Sequence, residues 1–108
     1  MKVKGDLKMA NRQLVFEDFS DKVGGVFTLS EEDLPAIALT LKEAVLLNPA
    51  FAPKDLRPPF ALTFFAEDPR VLPQRLYRMA HDGLGEVTIF LVPRGKDDSG
   101  VTYIATFN

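Results

Sequence analysis

The sequence predicts a mainly β domain, α+β at the margin: a five- or six-stranded antiparallel sheet or small half-closed barrel with one short N-terminal helix. Three observations lead there. Phe60-Ala61-Leu62-Thr63-Phe64-Phe65 alternates at the period of a strand. Two apolar arms, residues 86–92 and 101–107, flank a polar connection bounded by Gly95 and Gly100 and read as a hairpin. Glycine and proline clusters interrupt the chain at spacings suited to short strands rather than long helices.

Residues 1–12 form a basic arm, with Lys2, Lys4, Lys8 and Arg12 against Asp6, and are expected to be flexible. Residues 13–108 are expected to form a single β-rich domain. Phe16, Phe19 and Val23 follow i, i+3, i+7 and place one apolar face on a short helix. Gly24-Gly25 supplies its exit, and residues 26–29 read as the first strand.

Residues 30–48 admit two readings. Ser30 ahead of Glu31, Glu32 and Asp33 resembles a helix start, and Leu34, Ile37, Ala38, Leu41, Ala44 and Val45 fit one helix face. Pro35 would then fall at the fifth helical position, where its missing N–H is already needed. The strand reading sets Ile37, Leu39 and Leu41 on one face and Ala38, Thr40 and Lys42 on the other, and is preferred for that reason.

Residues 48–59 carry Pro49, Pro53, Pro58 and Pro59 and predict a long surface loop. The strand at Phe60 has bulk on both faces and is expected to be covered on both sides. After a connection through Asp68-Pro69-Arg70 and Leu72-Pro73-Gln74, residues 76–80 make a strand with Tyr77 and Met79 together. Asp82-Gly83-Leu84-Gly85 turns into the final hairpin. Pro93, which cannot donate to a ladder, is expected to end its first arm.

Composition narrows the function. At 46% hydrophobic and 26% charged the chain can build one core. Having no cysteine, it can form no disulfide, thiolate site or cysteine nucleophile. No apolar run approaches the ~20 residues that cross a bilayer, and no apolar stretch follows the N-terminal lysines as a secretory signal would require. Cytoplasmic localisation is the default expectation, with no membrane role. The net charge is −2, and the basic arm leaves an acidic body that argues against nucleic-acid binding.

Phe60-Ala61-Leu62-Thr63-Phe64, Leu72-Pro73-Gln74, Tyr77, Gly85, Ile89-Phe90-Leu91-Val92-Pro93 and Tyr103-Ile104-Ala105-Thr106-Phe107-Asn108 together resemble an uncharacterised family of small bacterial proteins of the DUF6916 type. Phe16, Phe19, Gly24 and Phe27 are similar to its N-terminal part, and residues 39–45 to its central strand. The resemblance covers residues 14–108 and implies a small β-rich domain with no catalytic residue or cofactor to carry over. Arg75 departs from the pattern, standing where a glycine is expected after Pro73-Gln74.

His81, beside Arg78, Asp82 and Glu86, is the one place where a general acid or base could assemble. Neighbouring strand side chains point apart, so a solvated histidine is the plainer expectation. Glu31-Glu32-Asp33 and Asp97-Asp98-Ser99 lack calcium-loop spacing. No catalytic residue, metal ligand or cofactor is therefore assigned. The nine phenylalanines are more informative, since Phe64 and Phe65 must face opposite ways. Open edges would also need pairing or protection, and Pro35 and Lys42 could blunt one. These features favour a non-catalytic interaction or assembly module working through an apolar sheet face or edge, with a protein partner or self-association. The residues proposed for that surface are Phe51, Leu56, Arg57, Phe65, Tyr77, Phe90 and Tyr103. The alternative is a small barrel holding an apolar ligand; an enzyme using His81 ranks third.

Overall fold

A computed structural model of the chain describes residues 13–47 and 58–107. It contains a single-turn helix, α1 (Glu17–Ser20), and six strands: β1 (Val26–Glu31), β2 (Leu34–Leu46), β3 (Phe60–Ala66), β4 (Arg75–His81), β5 (Gly85–Asp97) and β6 (Gly100–Phe107). Among the described residues the structure is thus mainly β, its paired strands antiparallel, with one short N-terminal helix. Within the ambiguous stretch Leu34–Leu46 is strand β2, with Ile37, Leu39 and Leu41 buried on one face.

The strands follow the order β1-β2-β3-β6-β5-β4, and β4 returns to β1 to complete a circuit. The expectation of a β-barrel needs correcting at that closure. β4 and β5 pair without interruption from Arg75↔Leu91 to His81↔Gly85, but β1 and β4 meet only at Thr28↔Ala80 and Leu29↔Met79. Instead of an evenly bonded barrel, this is a six-stranded sheet rolled until its edges touch at a narrow seam. The cause is local. The β1–β2 register shifts between Leu29 and Glu31, and the Glu31 carboxylate accepts the Arg78 N–H at 2.8 Å where the ladder would otherwise continue.

Alternation explains which side chains fill the interior. Phe27 and Leu29 of β1, Leu62 and Phe64 of β3, Tyr77 and Met79 of β4, Ile89 and Leu91 of β5 and Tyr103 and Ala105 of β6 are all buried. β2 changes phase midway. Its pairing with β3 shifts between Leu41 and Glu43, so Lys42 is an additional outward residue and Ala44 packs against the core. Lys42 therefore marks a bulge and does not guard an edge.

Both ends of the roll are stoppered. At one, Phe19 is fully buried with its ring centroid 6.2 Å from Phe27, 5.9 Å from Phe60 and 5.8 Å from Phe107. Phe16 meets Phe60 edge-on at 6.3 Å, and Phe60 stacks on Phe107 at 4.4 Å. The helix stops after four residues, and Gly24, at φ 93°, turns the chain into β1. Val23 lies beyond the helix and is exposed, so it does not share the face of Phe16 and Phe19.

At the other end, the β3–β4 connection must pass β6 and β5 to reach β4. Leu72 from this connection is buried, its N–H donating to the Tyr103 hydroxyl at 3.0 Å. The Tyr77 hydroxyl donates to the Pro73 carbonyl. Two core tyrosines thereby hold the crossing segment in place. Arg75 opens β4 here instead of a glycine turn. Its guanidinium lies 4.8 Å from the centre of the Tyr77 ring and pairs with Asp33 at 3.2 Å.

Pro93 does not end β5, which continues to Asp97. Peptide groups of alternate β5 residues from Gly85 to Leu91 face β4, and Pro93 continues that series beyond Arg75, the first residue of β4. Its missing N–H therefore faces a side with no strand, and a register shift follows between Pro93 and Gly95.

Candidate interaction face

The outward side chains of β4 and β5 follow from the same alternation. With Tyr77 and Met79 inside, Leu76 and Arg78 point out; with Ile89 and Leu91 inside, Phe90 and Val92 point out. Counting back from the β4–β5 turn sets Leu76 opposite Phe90 and Arg78 opposite Thr88. Leu76 is 59% exposed and Phe90 43% exposed. Across the next pair of strands Val92 lies opposite Ile104, both half-buried. The four make an apolar band over three strands of the outer surface. Covering the exposed part of Leu76 and Phe90 would contribute roughly 1 kcal/mol each.

The residues proposed from sequence divide three ways. Phe90 is in the band. Phe65 is half-buried on the outer side of β3, between Thr40 and Thr102 on neighbouring strands. Tyr77 and Tyr103 are buried, which corrects their assignment to the surface. Burial also raises the pKa of each phenol, so both stay protonated as hydrogen-bond donors; for Tyr77 the Arg75 charge partly offsets the effect. Phe51, Leu56 and Arg57 lie outside the described residues. Sequence reasoning passed over Leu76, Val92 and Ile104. The signal that could have found Leu76 was the hairpin register, which carries any exposed β5 residue to its β4 partner.

The edge half of the expectation loses ground. β1 and β4 close on each other, and the stretch of β5 beyond Leu91 that lacks a β4 neighbour carries Pro93, Arg94 and Lys96, a composition that resists strand addition. The interior is occupied by the core side chains and capped by Phe19 and Leu72. An open groove of about 330 Å³ lies outside the roll, lined by Ser30, Glu31, Glu32, Leu34, Ala36 and Arg78. Its mixed charge does not resemble a pocket for an apolar ligand.

His81 is not brought together with Arg78 or Glu86. Its ring packs 4.8 Å from Phe27, its Nδ1 accepts the Gly83 N–H at 2.9 Å, and Arg78 and Glu86 belong to the outer face. The acidic clusters serve local roles. Glu31 caps the seam, Asp33 pairs with Arg75, and Asp97 accepts Ser99 N–H at 2.8 Å and Ser99 Oγ–H at 2.6 Å. Those Ser99 bonds hold the Asp97 carboxyl below its ordinary pKa. Among the described residues no group of three or more His, Asp and Glu side chains is placed to hold a metal ion. No described helix is long and apolar enough to cross a membrane.

The profile of the family described as Domain of unknown function (DUF6916) matches residues 14–107. No curated protein and no solved structure matches the chain.

Proposed function

We propose, for a chain that belongs to the DUF6916 family and inherits no activity from that description, a non-catalytic role as a protein-interaction module. The observation that carries the reading is the direct opposition of Leu76 and Phe90 on the outer face, continued by Val92 and Ile104. An exposed aromatic and a large aliphatic side chain on adjacent strands give a contact patch that the core does not use. Arg78 and the β5 Arg94 flank it with charge that can set orientation.

A second copy of the chain is the first occupant to test, because a two-fold axis through the band sets the patch against itself. The test is light scattering on size-exclusion fractions of the wild type and of Leu76→Ser/Phe90→Ser. The wild type is expected to self-associate and the double variant to run as a monomer with the same unfolding midpoint. A wild type that is monomeric at every concentration excludes the second copy. A double variant that unfolds would return both residues to the core and remove the proposed role.

A further inference from the structure

The turn that joins β4 to β5 carries chemistry of its own, away from the apolar band. His81 ends β4 opposite Gly85 of β5, and the Leu84 N–H donates to the His81 carbonyl at 3.0 Å while the Leu84 side chain is buried. The turn is thus held at both ends. Between them Asp82 and Gly83 are exposed. They are the only Asp-Gly dipeptide in the chain. The Gly83 N–H donates to His81 Nδ1 at 2.9 Å, so that nitrogen carries the free lone pair. The imidazole is fixed in turn by the Phe27 ring at 4.8 Å and by Gly25, where an added Cβ would stand 2.8 Å from Nε2.

We propose that Asp82–Gly83 is a site of spontaneous backbone rearrangement in which His81 acts as the base. The Gly83 nitrogen attacks Asp82 Cγ, forming a C–N bond and closing a five-membered succinimide. The proton on that nitrogen passes to His81 Nδ1, and the hydroxyl of the protonated Asp82 carboxyl leaves as water, taking the proton back from the imidazolium. The net change is loss of one water. Hydrolysis restores one water at either ring carbonyl, giving aspartate again or an isoaspartate whose main chain runs through the former side chain.

The arrangement suits the first step. The amide nitrogen attacks perpendicular to its peptide plane, whereas its N–H bond to Nδ1 lies in that plane, so the base does not block the approach. Gly83 has no side chain to hinder it. Asp97 forms a contrast: its carboxylate is already occupied by the N–H groups of Ser99 and Gly100. The isoaspartate product adds one main-chain methylene between His81 and Leu84. That lengthens a turn fixed at both ends and pulls on the buried Leu84.

The test incubates the folded protein at neutral pH in oxygen-18 water and maps its peptides, with isoaspartyl methyltransferase labelling as the second readout. One oxygen-18 atom and methylatable isoaspartate are expected in the peptide carrying Asp82. His81→Ala is expected to slow both by about tenfold or more, a modest share of what a positioned base supplies. A synthetic peptide of residues 79–86 serves as reference if that variant does not fold; the folded wild type is expected to react faster than the free peptide. Absence of label at Asp82, an unchanged rate in folded His81→Ala, or a faster free peptide would each overturn the proposal.

Discussion

Phe19→Ala tests whether the single helical turn is a structural stopper or an ornament on a finished sheet. The Phe19 ring is fully buried and touches Phe27, Phe60 and Phe107, so three strands lose a partner at once. Truncating a buried phenylalanine costs about 3 to 5 kcal/mol, combining lost transfer energy with the cavity left behind. A domain of this size has roughly 5 to 15 kcal/mol in total, so the variant should still fold. With a urea m-value of about 2 kcal/mol/M, the midpoint should fall by roughly 2 M at unchanged slope. Circular dichroism in a urea titration reads this directly, since the chain has no tryptophan. Phe19→Leu should recover part of the loss. A drop below about 1 kcal/mol would refute the reasoning, because it would mean that the end of the roll closes without the helix.

Further outcomes follow from single positions. Gly100→Ala would set a Cβ 2.0 Å from the Ala66 carbonyl oxygen at a φ of 155°, and should destabilise by about 2 to 4 kcal/mol through overpacking and backbone strain; stability within about 0.5 kcal/mol of wild type would contradict that contact. Tyr103→Phe leaves the Leu72 N–H without its acceptor, costing about 1 to 3 kcal/mol and accelerating hydrogen exchange at Leu72. Asp68 should titrate at about 2, held down first by its side-chain hydrogen bonds to Arg70. Because the folded value lies below the unfolded one, its contribution is present above the ordinary pKa of 3.8 and is lost as pH falls towards 2. Carbon-detected NMR reads the midpoint, and Arg70→Ala should return it to the ordinary range.

The strands were legible because alternation is local. Phe60 to Phe65, the β4 residues and the final hairpin each announce an alternating strand without reference to the rest of the chain, but not which of its two faces turns inward. Pro35 decided the β2 ambiguity correctly, since a proline at a fifth helical position removes a bond that the strand can spare at a register shift. What alternation could not show was pairing between distant segments. The return of β4 to β1 rests on two register pairs, Thr28↔Ala80 and Leu29↔Met79, beyond which the Glu31 carboxylate takes the place of the ladder, and the tolerance of Pro93 depends on where β4 happens to begin. The face reading of Tyr77 and Tyr103 went astray for a related reason. Tyrosine serves equally on surfaces and in cores, and their buried hydroxyls are satisfied by Pro73 and Leu72, residues of a connection whose path the sequence does not announce. Alternation sets Leu76 and Tyr77 on opposite faces of β4 without saying which is outer, and Leu76 gains its significance only with its register partner, Phe90.

The account rests on the outer band of Leu76, Phe90, Val92 and Ile104 being a contact surface. The most direct measurement is a concentration series of amide NMR spectra. Shifts that move with concentration and map to residues 76–78, 88–92 and 104, with the interior amides unchanged, are the predicted result. Spectra that stay fixed up to the highest concentration, or shifts confined to another face, would contradict it.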